Sequence, residues 1–128
     1  MKKTILTLSI AVFTFTAASA QKHFTRSANI SFYSDTPIEK IEATNHQATS
    51  VVDLEKSEMV FSVLMKSFEF EKALMQEHFN EKYVESDTYP KAQFKGTFKS
   101  ETPIDLAKDG DYKVSVSGTM NMHGVDQE

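Results

Sequence analysis

The chain has 128 residues, no Cys and no Trp, and a formal net charge of -4. This length suits one domain, and without Cys that domain has no disulfides, so a hydrophobic core must hold it together. The acidic charge argues against nucleic acid and against anionic membrane surfaces as partners, because both attract basic patches.

The first twenty residues have the pattern of a secretory signal peptide. Lys2 and Lys3 precede an uncharged, largely apolar run, and Ala18 and Ala20 form a small-x-small cleavage signal. The run is short for a bilayer span and no Cys follows it, so we expect neither a transmembrane nor a lipid anchor. Cleavage after Ala20 would leave residues 21–128 as one periplasmic or secreted domain. Loss of both lysines leaves 12 of the 14 basic residues against 18 acidic ones, a net charge of -6.

Apolar and polar residues alternate along most of the remaining chain, which predicts β-strands. In chain order, the strands are predicted at residues 28–34, 38–44, 48–55, 57–67, 91–99 and 111–124. Thr36–Pro37 separates the first two, residues 54–59 form a turn, and Asp109–Gly110 is a pair favoured where a turn needs positive φ.

The alternation places one apolar set of side chains on one face of the three clearest strands. These positions are Met59, Phe61, Val63 and Met65; Ala92, Phe94, Gly96 and Phe98; and Tyr112, Val114, Val116, Gly118, Met120 and Met122. Met fills irregular space and suits flexible apolar ligands, but ordinary core packing explains the same pattern and is the favoured interpretation from the residues alone.

One segment departs from the period of two. Between Glu71 and Tyr83, the apolar residues Leu74, Met75 and Phe79 have helical spacing. Pro90 then returns the chain to extended structure. Six or so antiparallel strands and one helix predict an all-β fold whose sheet curls into a barrel or closes against the helix.

No motif in the sequence predicts catalysis or a bound cofactor. His78 lies between acidic residues, but a zinc hydrolase helix would carry a second His four residues away. The other histidines are scattered, no Ser lies in a G-x-S-x-G elbow, and four Gly residues cannot build a phosphate loop. An enzyme or metal site centred on His78 stays open as a minor alternative.

The string "FSVLMKSFEFEKALMQEHFNEKYVESDTYPKAQFKG", residues 61–96, closely resembles the YceI-like family of exported polyisoprenoid-binding proteins. Two further segments agree with it: residues 26–45 resemble the opening strands of the family, and residues 118–125 resemble a later strand that ends in a His–Gly turn. The resemblance extends over the whole of residues 21–128.

This resemblance implies an antiparallel lipocalin-like β-barrel with a long apolar lumen that holds an isoprenoid or other long-chain lipid for transport or storage. It brings no catalytic residue, no metal and no cofactor. The implied ligand contacts face the lumen, and strand polarity selects the face. They are Phe61, Val63, Met65, Leu74, Met75, Phe79, Phe94, Phe98, Val114, Val116, Met120 and Met122.

The sequence stops at "HGVDQE", where members of the family continue through further strands. We therefore expect a barrel that lacks its C-terminal strands and has an open edge. Two alternatives to a lipid carrier follow: a non-catalytic envelope interaction module, which an open edge could also turn into a homodimer, or a truncated fragment without ligand.

Overall fold

The computed structural model describes residues 22–128, and the predicted signal peptide lies outside them. The seven strands, in chain order, are β1 Lys22–Asp35, β2 Lys40–Asp53, β3 Glu58–Leu64, β4 Glu69–Phe70, β5 Lys91–Ser100, β6 Val114–Met122 and β7 Val125–Gln127. The helical segments are a 3-10 turn at Met65–Ser67, helix α1 at Ala73–His78 and a π-helical turn at Phe79–Tyr83.

All strand pairs are antiparallel, in the order β1-β2-β3-β5-β6-β7, with β4 also paired to β2. The predicted antiparallel sheet with one short helix is confirmed. β1 and β7 lie at opposite edges, so the sheet of residues 22–128 does not close into a barrel, in agreement with the expected open edge. β7 pairs only with Met120, Asn121 and Met122, so β6 is an open edge from Val114 to Thr119.

The two strands predicted at residues 38–44 and 48–55 form one strand, β2. Three of its residues, Ala43, Asn45 and Ala48, are almost completely buried. Small and polar side chains at buried positions leave no apolar alternation to detect. The pairing of β1 with β2 also shifts register twice between Thr25 and Ile30, which interrupts the period of two.

The turn predicted at Asp109–Gly110 is also wrong. Gly110 does not have a positive φ, and the chain turns earlier, where the Lys108 amide donates to the carbonyl of Asp105. Tyr112 precedes β6 instead of belonging to it, and its hydroxyl donates to the main-chain oxygen of Asp105 at 2.9 Å. That contact fixes the long loop between β5 and β6.

The core lies where the helical segment packs against one face of the sheet, which we call the inner face because it carries Phe61, Val63, Ala92 and Phe94. Its buried members are Ala43, Ala48, Val63, Met65, Phe68, Val84 and Ala92. The amide of Met65 donates to the carbonyl of Pro90 at 2.9 Å, which joins the 3-10 turn to the entry of β5. No helix within residues 22–128 is long and apolar enough to cross a membrane.

Candidate apolar ligand site

A cavity of about 360 Å³ lies on the inner face, between the sheet and the π-helical turn. Four strands, the 3-10 turn with the residue after it, and the π-helical turn contribute to its wall. The lining residues are Ile30, Phe32, Phe61, Ser62, Val63, Met65, Phe68, Phe79, Ala92, Gln93, Phe94, Met120 and Met122.

Strand register brings the central wall together. Phe61 of β3 pairs with Phe94 of β5, which pairs with Met120 of β6, so the three side chains stand side by side. The ring centroids of Phe61 and Phe94 are 6.3 Å apart. Two residues further along β3, Val63 faces Ala92, whose small side chain leaves room above the sheet.

Aromatic packing closes the end of the cavity near the helix. Phe32 of β1 packs edge-on against Phe68, with centroids 5.2 Å apart, and stacks on Phe79 at 5.4 Å. Phe79 also packs against Phe70 at 4.9 Å. These four rings join β1, β4, the residue after the 3-10 turn and the π-helical turn, so they fix the helical segment over the inner face.

The wall offers almost no polar chemistry. Ser62 and Gln93 pair with each other, and they alternate with the apolar residues of their strands. Their side chains therefore point to the outer face, and they line the cavity with backbone atoms. No lining residue is ionisable. The site can hold an apolar group by burial, but it contains no acid, base or nucleophile.

One side of the site is open to solvent. Met120 and Met122 are 42% and 43% exposed, although both line the cavity. Val114 and Val116 continue the same face of β6 and are 38% and 44% exposed. The inner face thus extends beyond the cavity as an uncovered apolar strip along β6.

The structure brings seven of the twelve predicted ligand residues to the cavity: Phe61, Val63, Met65, Phe79, Phe94, Met120 and Met122. Phe98 is buried on the same face but lies outside the cavity, and Val114 and Val116 lie on the exposed strip. Leu74 is 62% exposed, and Met75 is half-buried away from the cavity. Whether any of them contacts a ligand stays a prediction.

Sequence reasoning missed the contribution of Ile30, Phe32 and Phe68. Ile30 and Phe32 are two residues apart on one face of β1, and this period of two was the signal that could have identified them. Phe68 follows a 3-10 turn, where neither the strand period nor the helix period applies, so no pattern could have found it.

Phe98 lies in a second, more open cavity of about 420 Å³ under the loop that follows β5. Its wall is mixed in polarity and consists of Leu54, Ser57, Phe98, Ser100, Glu101, Thr102, Pro103 and Ile104. The loop covers Phe98, which does not line the apolar cavity.

Ion pairs lie around the helical segment, outside the apolar cavity. Lys66 Nζ is 2.5 Å from Asp87 Oδ1, and Lys72 Nζ is 3.0 Å from Glu39 Oε1. The hydrogen bond from Lys72 to Glu39, together with the negative charge of that carboxylate, raises the pKa of Lys72 above its ordinary value. Among residues 22–128, no three His, Asp or Glu side chains lie close enough together to hold a metal ion.

The family model of the YceI-like domain matches residues 12–128 of this chain. A comparison with curated proteins finds no match. Among solved structures, the chain is similar to a polyisoprenoid binding domain from Saccharophagus degradans implicated in plant cell wall breakdown, with a TM-score of 0.62 and 18% identity over 83% of this chain. The match spans 62% of that chain, and at this identity it shows the fold alone.

Proposed function

Because the chain belongs to the YceI-like domain family, we propose that it binds a long apolar chain, such as an isoprenoid or other long-chain lipid, in the cavity on its inner face. The protein acts as a carrier or store and not as an enzyme. The observation that carries the proposal is a cavity of about 360 Å³ without an ionisable side chain in its wall.

Cavity size and lining both support a lipid. Small-molecule sites usually have volumes of about 300–1,000 Å³ and are mostly apolar, with a few polar groups that orient the ligand. Here the wall is apolar throughout, so burial supplies the affinity, at roughly 25 cal/mol per Å² of apolar surface removed from water. Met65, Met120 and Met122 suit a chain that bends, because the Met side chain adapts its shape.

The exposed strip on β6 supports a ligand longer than the cavity. Val114 and Val116 lie on the same face as Met120, towards the start of β6. A chain that leaves the cavity past Met120 would cover these valines and remove their apolar surface from water. A short ligand would leave them exposed.

The predicted signal peptide and the family membership support a location in the periplasm or outside the cell. A carrier there would shield an apolar chain from water between membranes or between proteins. The domain of residues 21–128 would perform this role without a membrane anchor.

Binding can be tested with the fluorescent polyene fatty acid cis-parinaric acid, which brightens when it leaves water. Wild-type protein should bind it, and Phe94→Asp should weaken the affinity by at least about thirtyfold, because a carboxylate would enter the cavity. Met120→Asp makes the same change at a half-exposed position, where the cost to folding is smaller. Thr97→Asp is the matched control, because Thr97 is exposed on the outer face of the same strand as Phe94.

Equal affinity in wild type, Phe94→Asp and Met120→Asp, with all three folded, would overturn the assignment of the cavity. If Thr97→Asp also lost affinity, the loss in Phe94→Asp would come from an added charge anywhere on the sheet and not from a carboxylate inside the cavity. Circular dichroism on each variant separates loss of binding from loss of structure.

The open edge of β6 favours a second candidate function, an interaction module that pairs with a strand of a second copy or of another envelope protein. Residues 114–119 carry no charge, no Pro and no bulge, which are the features that usually protect an edge. Light scattering on wild type and Val116→Lys tests this candidate: a dimer that the variant abolishes supports it, and a monomeric wild type without a stoichiometric protein partner in pull-downs argues against it.

A further inference from the structure

The turn between β6 and β7 is attached to the loop after the helical segment by one side-chain hydrogen bond. His123 donates from Nε2 to Glu85 Oε2 at 2.6 Å. The ring of Tyr89 lies edge-on to the imidazole, with centroids 4.7 Å apart. Gly124 lies against the Cε1 edge of the Tyr89 ring, since a Cβ added there would be 2.6 Å from Tyr89 Cε1.

Both partners of this bond have left-handed backbone conformations. His123 has a φ of 54° and Glu85 has a φ of 47°, and Ser57 is the third non-Gly residue with positive φ among residues 22–128. This conformation is unfavourable for a non-Gly residue and persists only where the surroundings hold it. The two strained residues face each other across the gap between the turn and the loop.

The sheet does not hold the tip of this hairpin. The last pair between β5 and β6 joins Gln93 to Asn121, so Met122 pairs only with Val125 across the hairpin. Met122 nevertheless lines the apolar cavity. In the part of the chain that the structure describes, the bond between His123 and Glu85 is the only hydrogen bond from the tip, residues 122–125, to the helical side of the cavity.

We propose that residues 122–125 form a flap over one mouth of the cavity, and that the bond from His123 to Glu85 latches this flap. Release of the latch moves Met122 away from the wall and opens a path for an apolar chain. The gating role rests on the proposed function, because it requires a ligand in the cavity.

Other charged groups nearby have their own partners. Asp87, two residues after Glu85, pairs with Lys66 at 2.5 Å, and Asp126 of β7 accepts from Asn121 Nδ2 at 2.6 Å within the hairpin. The pair of Lys66 and Asp87 is therefore a control interaction: Asp87 lies on the same loop as Glu85, but the pair does not reach the flap.

Two substitutions break the latch without straining the backbone. His123→Asn keeps a residue that tolerates positive φ and creates the Asn–Gly sequence that two-residue hairpin turns favour, but the shorter side chain does not reach Glu85. Glu85→Gly removes the acceptor and relieves the strain at that position. Glu85→Gln retains an acceptor oxygen and serves as the conservative rescue, and Lys66→Met breaks the control interaction.

The experiment has one readout without ligand and one with it. By NMR, the Hα chemical shifts of Gly124 in the wild-type chain should be displaced by the ring current of the neighbouring Tyr89. By stopped-flow, protein loaded with cis-parinaric acid is mixed with phosphatidylcholine vesicles and the release rate is measured. We expect both latch variants to lose the shift and release the probe about two- to fivefold faster, with equilibrium affinity nearly unchanged. Glu85→Gln and Lys66→Met should behave as wild type.

Three results would overturn the proposal. An unchanged Gly124 shift in both latch variants would show that the bond does not hold the flap. A lost shift with an unchanged release rate would show that the flap does not gate the cavity, while the proposed function stands. If wild type does not bind the probe, the proposed function fails together with gating, and the Gly124 shift then still shows whether the turn is latched.

Discussion

Asn45, which is fully buried, donates a hydrogen bond from Nδ2 to the main-chain oxygen of Leu64 at 3.0 Å. Its Oδ1 accepts from the amide of Gln47 at 2.8 Å. This side chain lies between the part of β2 that pairs with β4 and the part that pairs with β3. It supplies the hydrogen bonds that the strand ladders do not provide there.

Asn45→Ala should lower the free energy of unfolding by about 1–3 kcal/mol, because the main-chain oxygen of Leu64 and the amide of Gln47 would both lose their hydrogen-bond partner. Urea denaturation measures the change. Asn29→Ala is the matched control: Asn29 is exposed and bonds only to the His46 ring, so its loss should cost less than about 0.5 kcal/mol. Equal costs in the two variants would contradict the role of Asn45.

Gly118 faces Gly96 across the pair of β5 and β6. A Cβ at Gly118 would meet the carbonyl oxygen of Lys95 and the Cα of Gly96, so Gly118→Ala should force the strands apart and lower the melting temperature. Gly110→Ala is the control, since nothing lies within 4 Å of the added Cβ. That variant should be neutral or more stable by about 0.4–1 kcal/mol, and a melting temperature lowered as much as in Gly118→Ala would contradict this account.

Phe68 should contribute more to stability than any exposed apolar residue of the helix. It is 4% exposed, so Phe68→Ala should cost about 3–5 kcal/mol by removing packing and leaving a cavity. Leu74→Ala, at a position that is 62% exposed, should cost less than about 1 kcal/mol. Chemical denaturation of both variants compares the costs, and a larger loss in Leu74→Ala would show that the helix buries a different face.

The raised pKa of Lys72 gives a prediction with a defined sign. Because the folded state favours protonated Lys72, the pair contributes at neutral pH and its contribution is lost as pH rises above 10.5 and through the folded pKa. Glu39→Gln should lower the pKa of Lys72 more than Glu71→Gln, because Glu39 supplies both the hydrogen bond and the larger attraction. An NMR titration of the Lys72 side chain compares the variants, and equal effects would contradict the assigned cause.

The sequence predicted the parts of the fold where the period of two is undisturbed. β3, β5 and β6 carry large apolar side chains on one face, so alternation located them and selected Phe61, Phe94 and Met120. The sequence predicted two strands in place of β2, because Asn45 and Ala48 are buried without being large or strongly apolar. The order of the strands and the open edge of β6 depend on pairing between distant segments, which a single sequence does not display.

Local structure also explains why some of the predicted site residues do not line the cavity. Phe98 shares a face with Phe94, but a loop covers it, and no periodicity reports where a loop lies. Leu74 has helical spacing with Phe79, yet α1 has only six residues and widens into a π-helical turn that begins at Phe79. That change of pitch turns Phe79 towards the cavity and leaves Leu74 in solvent.

Native mass spectrometry of the full chain, expressed with its predicted signal peptide and purified gently from a bacterial periplasm, tests lipid binding most directly. We predict a discrete additional mass on the wild type and on Thr97→Asp that organic solvent extracts, and its absence from folded Phe94→Asp. A wild type that carries no additional mass and gains none when incubated with a long-chain isoprenoid would contradict the proposed function.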